Sequence, residues 1–259
     1  MDSIYKRYKR GLLHEHLLFI KQGCRYFYSW YFNLRHFPWK IAKRLPIVFY
    51  KSAYAETRGR GKIILTDSFI AHNRHVIFGE SLMDFDYQCE KTYLHVEGTL
   101  TFDGNVTVRR GTSIWIHGNM FISDKVLIGP RVRIKAHNSV TIGCNSRIAH
   151  ETQIFDTNFH PTECVTNPQY TPISCPIRIG GYCWIGNRTT ISKGTVLPDH
   201  TTVASNSLVA KNYSDLPPYS LIGGMPAKLL KSDYSRVWDA KREKEYLRRE
   251  FEWYRERHK

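Results

Sequence analysis

Branched aliphatic residues recur at every sixth position along residues 179–213 of the chain. These positions are Ile179, Ile185, Ile191, Leu197, Val203 and Val209. A step of six is neither the period of a helix nor the two-residue alternation of a flat strand. It is typical of a repeated unit of short strand plus turn, stacked as a solenoid. A coil with three faces of six residues would turn all of these side chains inward.

The same step of six appears upstream in two further runs of apolar positions. The runs are Val96, Phe102, Val108, Ile114 and Ile122, Ile128, Ile134, Val140. The phase slips by two residues between Val140 and Ile142, and the step of six then resumes through Ile148 and Ile154. We interpret the slip as an insertion at a corner, with irregular early coils followed by regular ones.

The repeat then stops for 24 residues, 155–178, and restarts at Ile179. Long loops inside a compact repeat are uncommon and usually functional. This loop contains one histidine, His160, directly before Pro161. The pattern predicts three parts, which are a helical N-terminal segment over 1–60, a β-helix domain over 61–231 with the loop 155–178, and a C-terminal helix within 232–259.

The formal net charge of +15 is concentrated at the two ends of the chain. Residues 1–60 hold thirteen Lys or Arg and three acids, whereas residues 61–227 are nearly neutral. On the predicted C-terminal helix, which starts at Ser235, one apolar stripe is formed by Leu247, Phe251 and Tyr254.

The N-terminal segment is rich in aromatic residues, and Pro38 and Pro46 break its helical pattern into short pieces. Two interpretations stay open. Residues 1–55 lie on an anionic membrane surface, or the segment caps the open end of the solenoid and covers its backbone edges. A nucleic-acid partner is not expected, because no DNA- or RNA-binding module accompanies the charge.

Cysteine and histidine spacing does not predict a metal site. The cysteines are Cys24, Cys89, Cys144, Cys164, Cys175 and Cys183, without a C-x-x-C pair. The histidines of the repeat are His117, His137, His150 and His200, too scattered in sequence for the three converging imidazoles of a catalytic zinc. The chain shows neither a secretory signal nor an apolar run of about 18 residues, so a cytoplasmic, reduced protein is expected.

Five stretches within residues 90–231 resemble the hexapeptide-repeat acyltransferases. They are DTNFHP at 156–161, PIRIG at 176–180, WIGN at 184–187, KGT at 193–195 and GGMPAK at 223–228. The subgroups most similar are the galactoside, maltose and nodulation-factor O-acetyltransferases and the acetyltransferases of polysaccharide biosynthesis. The resemblance implies a mainly β fold, a left-handed parallel β-helix, and a homotrimer that uses acetyl-CoA as acyl donor.

The resemblance also implies a catalytic role for His160, which matches the family's loop histidine. An imidazole titrates near neutral pH, so it suits the removal of a hydroxyl proton. Asp156 would orient the imidazole, or alternatively form a turn. His150 with Glu151 is a competing base, because some sugar N-acetyltransferases carry theirs on a coil.

Seven further positions match cofactor contacts of the family. They are Trp184, Asn187, Ser205, Ala210, Lys211, Lys228 and Lys231. The lysines would meet the phosphates as point charges, and small residues would let the pantetheine arm pass. We therefore expect an acetyl-CoA-dependent O-acetyltransferase of a glycan precursor. The alternatives are an N-acyltransferase of an amino-sugar nucleotide and a non-catalytic scaffold.

Overall fold

The computed structural model describes residues 12–81, 90–166 and 169–251. The helices in these ranges are α1 Leu12–Lys21, α2 Tyr26–His36, α3 Trp39–Ala42, α4 Asp67–Ala71 and α5 Ala240–Glu250. None of these described helices combines the length and the apolar composition of a membrane span.

The strands in the same ranges are short and numerous. In chain order they are β1 Ile47–Phe49, β2 Ala53–Thr57, β3 Lys62–Leu65, β4 Val76–Glu80, β5 Thr92–Val96, β6 Thr99–Phe102, β7 Val106–Arg109, β8 Ser113–Ile116, β9 Asn119–Ile122, β10 Val126–Ile128, β11 Arg133–Ala136, β12 Ser139–Ile142, β13 Arg147–Ile148, β14 Gln153–Phe155, β15 Thr162–Glu163, β16 Tyr170–Thr171, β17 Ile177–Ile179, β18 Trp184–Ile185, β19 Thr190–Ser192, β20 Val196–Leu197, β21 Thr202–Val203, β22 Leu208–Val209, β23 Leu221–Gly223 and β24 Lys228–Lys231.

The strands form three long sheets that the chain visits in turn. Sheet one has the order β1-β4-β7-β10-β13-β18-β21-β23-β24, sheet two β2-β5-β8-β11-β14-β19-β22, and sheet three β3-β6-β9-β12-β17-β20. Pairing within them is parallel except between β23 and β24. This is the topology of a parallel β-helix, which confirms the expected mainly β fold. Corner one joins sheets one and two, and corner two joins sheets two and three.

The length of each coil explains the phase slip in the sequence. In the middle coils a strand residue pairs with one that lies 20 positions further along, as Val106 does with Val126. In the last coils the step is 18, as between Ile185 and Val203. Since 18 is a multiple of six and 20 is not, the phase of the six-residue step slips by two in every coil of 20 residues. The insertion is therefore repeated, and each time it lies between sheet two and sheet three, where the step is eight from Ile114 to Ile122 and again from Ile134 to Ile142.

The aliphatic positions of the repeat form the core. Ile114, Ile134 and Ile154 stack in register in sheet two, and each is at most 1% exposed. The six positions from Ile179 to Val209 are equally buried. Each such side chain contributes about 1.5–3 kcal/mol by leaving water, so this ladder is the main stabilising feature of the coil.

The coil begins earlier than the pattern of sixes suggested. β1 and β2 pair in parallel with β4 and β5, so residues 47–57 already belong to the sheets. The step from Ile47 to its partner Val76 is 29 residues. The short helix α4 lies within that step, and this insertion hides the periodicity in the sequence.

Helix α2 covers the free edges of the first coil. β1 and β2 are edge strands of sheets one and two. Asn33 accepts from the Ile47 N–H over 3.1 Å and donates to the Ile47 carbonyl over 2.6 Å. Ser29 Oγ accepts from the Phe49 N–H over 3.0 Å. Side chains of α2 therefore satisfy backbone groups that the next strand of a sheet would otherwise pair.

Replacing Asn33 with leucine is expected to lower the free energy of unfolding by about 2–4 kcal/mol. Asn33 is fully buried, and the change leaves the Ile47 N–H and carbonyl without partners. Denaturant unfolding followed by circular dichroism measures the loss. Asn119→Leu, at an exposed position of β9, is the control. Equal unfolding midpoints for the two variants would show that α2 does not stabilise the edge.

The C-terminal helix starts later than its sequence pattern indicated. α5 begins after Asp239, whose carboxylate accepts from the Arg242 N–H over 2.7 Å and caps the first turn. No residue of α5 is buried, and Phe251 beyond it is 43% exposed. Tyr254, the third member of the expected stripe, lies outside the described residues.

Candidate functional site

The interruption in the repeat forms a loop at corner two, which the structure describes over residues 155–166 and 169–178. It leaves sheet two after β14 and returns to sheet three at β17. The Asn158 N–H donates to the Ile173 carbonyl over 2.9 Å, and the Cys175 N–H donates to the Asp156 carbonyl over 3.0 Å. Further out, β15 and β16 form an antiparallel hairpin. The paired stems fix how the loop projects from the coil.

His160 lies on the first stem of this loop with an exposed side chain. Phe159 before it has φ 64°, and its N–H donates to Thr157 Oγ1 over 3.1 Å. The Phe159 ring meets Phe155 edge to face at 6.0 Å and lies 5.2 Å from the Lys135 ammonium. Positive φ is costly for a bulky residue, so these contacts hold the backbone. None of the described residues hydrogen-bonds to the His160 imidazole.

Asp156 lies at the base of the loop and is fully buried. Its two carboxylate oxygens accept from the His137 and Asn138 N–H groups, each over 2.7 Å. The carboxylate thus closes the turn of the preceding coil. The structure does not bring Asp156 and His160 side chains into contact, and the geometry matches the turn-forming alternative rather than an orienting one.

The competing pair, His150 and Glu151, lies at corner one. Arg188 Nε donates to Glu151 over 2.6 Å, and Arg131 lies 3.4 Å from the same carboxylate. The hydrogen bond from Arg188 is the main cause that lowers the pKa of Glu151. The His150 ring nitrogen lies 3.9 Å from this carboxylate, beyond hydrogen-bonding distance. Glu151 therefore forms ion pairs with the two arginines and does not orient His150.

Two of the family-matched positions contact each other at corner one. Ser205 Oγ donates to Asn187 Oδ1 over 2.5 Å. This bond uses the serine proton and leaves the amide NH₂ of Asn187 as a donor. Trp184, in sheet one just before this corner, is 37% exposed and pairs in register with Arg147 and Thr202.

The remaining matched positions are exposed and lie elsewhere. Ala210 and Lys211 follow β22 at corner two, where the Lys211 ammonium lies 5.2 Å from the Tyr213 ring. Lys228 and Lys231 are the first and last residues of β24, at the end of the solenoid. The ammonium groups of Lys211, Lys228 and Lys231 are exposed and positively charged, as groups that bind phosphate must be.

A histidine–carboxylate network near the loop was not predicted. His95 Nε2 and Glu97 Oε1 are 2.8 Å apart, and His117 Nδ1 and Glu97 Oε2 are 2.9 Å apart. These hydrogen bonds, first the one with His95, lower the pKa of Glu97. Glu97 and His117 are 20 positions apart, one coil length, so this spacing is the sequence signal that could have found the network.

Coil stacking also brings together histidines that look scattered in the sequence. The rings of His117 and His137 lie 5.5 Å apart at corner two. Even so, no group of three or more His, Cys, Asp or Glu side chains in the described part of the chain has the geometry to hold a metal ion.

A polar cavity of about 580 Å³ opens at corner one. Its lining residues are Glu90, Lys91, Gly111, Arg131, Arg133, Glu151, Gln153 and Arg188. Arg131 forms ion pairs with Glu90 and Glu151, and Arg188 forms one with Glu151. Acidic and basic side chains therefore alternate along the wall of the cavity. Guanidinium and carboxylate groups each offer several hydrogen-bonding positions, so this cavity suits a polar ligand.

No protein-family model matches the chain. Two curated relatives come from Escherichia coli strain K12. A putative lipopolysaccharide biosynthesis O-acetyl transferase, WbbJ, is 29% identical over 159 residues, 57% of this chain and 80% of the relative. Galactoside O-acetyltransferase is 26% identical over 176 residues, 68% of this chain and 79% of the relative.

A solved structure supports the same fold. The polysialic acid O-acetyltransferase OatWY matches with a TM-score of 0.51 at 16% identity, covering 77% of this chain and 99% of that one. These relatives are O-acetyltransferases of the hexapeptide-repeat family, and this chain is similar to them. The resemblance seen in the sequence motifs is thereby confirmed, and the chain is an enzyme of the acyltransferase class.

Several of the matched residues lie at opposite edges of sheet two. His160 and Lys211 follow strands of that sheet at corner two, whereas Asn187 and Ser205 precede them at corner one. The width of the sheet therefore separates the loop histidine from the Asn187–Ser205 pair within one chain.

Proposed function

We propose that this acyltransferase moves an acetyl group from acetyl-CoA to a hydroxyl of a sugar in a polysaccharide or glycan precursor. His160 is the general base, and the coil winds in the left-handed sense of the family. The observation that carries the proposal is the exposed imidazole of His160 on a loop whose stems are tied to the coil. The relatives named for lipopolysaccharide biosynthesis and for galactosides support a sugar acceptor.

The transfer step balances with one base. A ring nitrogen of His160 takes the proton from the acceptor hydroxyl while the oxygen attacks the thioester carbonyl carbon. The tetrahedral oxyanion needs a fixed donor, and the Asn187 amide NH₂ has the free protons for it. The intermediate then expels the thiolate, which takes the proton from the imidazolium. The products are the acetyl ester and CoA.

We propose that a homotrimer completes the site. Asn187 and Ser205 lie across sheet two from His160, so one chain does not unite the base with the pantetheine contacts. A second copy would place its corner one against the loop. Analytical ultracentrifugation should give a trimer, and a monomer that still binds acetyl-CoA and transfers acetyl would overturn this.

Lys211→Ala and Lys228→Ala are each expected to weaken acetyl-CoA binding by about 1–3 kcal/mol. Both ammonium groups are exposed and would lose a charged hydrogen bond to phosphate. Isothermal calorimetry measures the change. Lys62→Ala, exposed on β3, is the matched control. Affinities equal to the parent in both variants would remove these lysines from the donor site.

An acceptor screen tests the proposed activity. CoA release from acetyl-CoA is followed with glycans that carry only hydroxyls and with matched amino sugars. Hydroxyl acceptors should release CoA and gain an alkali-labile ester. Release with amino sugars alone, giving an alkali-stable amide, would favour the N-acyltransferase alternative. Absence of release across both sets, with acetyl-CoA still bound, would favour a non-catalytic scaffold.

A further inference from the structure

We propose that the outer surface of the N-terminal cap docks on an anionic lipid bilayer. The docking face consists of Phe27, Tyr31 and Leu34 on α2 together with Trp39 at the start of α3. This goes beyond acetyl transfer, because no residue of the docking face belongs to the candidate site.

The docking face is apolar and exposed. Phe27 is 86%, Tyr31 59% and Leu34 49% exposed, and Trp39 is 62% exposed. Phe27, Tyr31 and Leu34 follow the i, i+4, i+7 spacing, which puts them on one side of a helix. Trp39 stacks on Trp30 with 5.8 Å between ring centroids. Amphipathic aromatic side chains of this kind favour the boundary between lipid headgroups and acyl chains.

The opposite side of helix α2 packs on the first coil. Ser29, Phe32 and Asn33 are buried on the first coil, and two of them hydrogen-bond to β1. The apolar stripe lies on the other side of the helix, and each of its three side chains is at least 49% exposed. The two interpretations of the N-terminal segment thus describe two sides of one helix.

The positive charge around the docking face favours an anionic partner. From His16 to Ala55 the sequence contains seven Lys or Arg and neither Asp nor Glu. Lys21, Arg35 and Lys40 are exposed among them. Clustered cations are attracted to anionic headgroups, whereas a second copy of the same surface would be repelled. An anionic bilayer would bury the apolar stripe at its interface and would attract the surrounding cations through its headgroups.

Docking would set the height of the catalytic loop above the lipid. Four strand steps of sheet two separate β2, at the capped end, from β14. At about 4.8 Å per step, the loop lies roughly 20 Å from the cap. This consequence rests on the proposed function, and it matches a lipid-linked glycan acceptor whose sugars extend from the bilayer.

Vesicle co-sedimentation tests the docking with the full chain. Vesicles of phosphatidylcholine with phosphatidylglycerol are compared with phosphatidylcholine alone. The parent should bind the anionic vesicles, and binding should fall as salt is raised. The double variant Phe27→Ser/Trp39→Ser should bind about tenfold or more weakly. Ile64→Ser/Tyr246→Ser, which removes two exposed apolar side chains elsewhere, should bind like the parent.

Circular dichroism and acetyl-CoA binding show that each variant is folded. Equal vesicle binding by both double variants, or no binding by the folded parent, would overturn the docking proposal. Lipid-free association of two trimers that is lost only in Phe27→Ser/Trp39→Ser would assign the face to self-association instead. Acetyl transfer to a soluble acceptor should be the same for parent and docking variant, so a failure of docking is distinguishable from a failure of the proposed activity.

Discussion

Replacing His160 with alanine is expected to lower the turnover of acetyl transfer about 10²- to 10⁴-fold. The methyl group cannot accept the proton of the acceptor hydroxyl, so the oxygen must attack while still protonated. Affinity for acetyl-CoA should stay that of the parent, because the donor contacts involve other residues. Steady-state kinetics and calorimetry on the same preparation measure the two quantities.

His72→Ala is the matched control, since His72 is an exposed histidine just beyond α4. It should keep full turnover. A His160→Ala variant with turnover within a few-fold of the parent would exclude general-base catalysis by the loop histidine. A variant that loses acetyl-CoA binding as well would show that the substitution disturbs the loop and not only the chemistry.

Asp156→Asn is expected to lower the free energy of unfolding by about 2–4 kcal/mol. The carboxylate accepts from two backbone N–H groups. An amide can satisfy only one of them, because its NH₂ would face the other donor inside the protein. Denaturant unfolding measures the loss. Asp199→Asn is the control, because Asp199 is exposed and its Oδ1 accepts one backbone hydrogen bond, from Gly181.

The same variant separates a structural role of Asp156 from a catalytic one. With a structural role, turnover at a temperature where Asp156→Asn is folded should resemble the parent, and its pH–rate profile should be unshifted. Stability equal to that of the parent, combined with a large loss of turnover and a shifted profile, would instead show that Asp156 orients His160.

The fold was predictable because each coil of the last part is a multiple of the six-residue step. Ile179 to Val209 keep one phase, and each of these side chains is buried in the core. The start of the coil was harder to find, because α4 and other insertions separate paired strands. Ile47 and Val76 are partners, but nothing local in the sequence indicates a pairing over that separation.

The candidate site was predictable only where a motif lies within one loop. His160 is recognisable from its neighbours in the sequence, and the structure places it exposed on an ordered stem. The partners of Asp156 come from the preceding coil, so they depend on coil length. The same is true of the network of His95, Glu97 and His117, whose members meet only because the chain returns to the same corner.

Acetyl transfer to a single glycan acceptor by the parent, His160→Ala and His150→Ala, assayed side by side, tests the central claim most directly. The parent should convert acetyl-CoA and acceptor into CoA and an alkali-labile acetyl ester. His150→Ala should retain this activity, and His160→Ala should lose it while still binding acetyl-CoA. Loss in His150→Ala with full turnover in His160→Ala, or an alkali-stable product from the parent, would contradict the proposed O-acetyl transfer by the loop histidine.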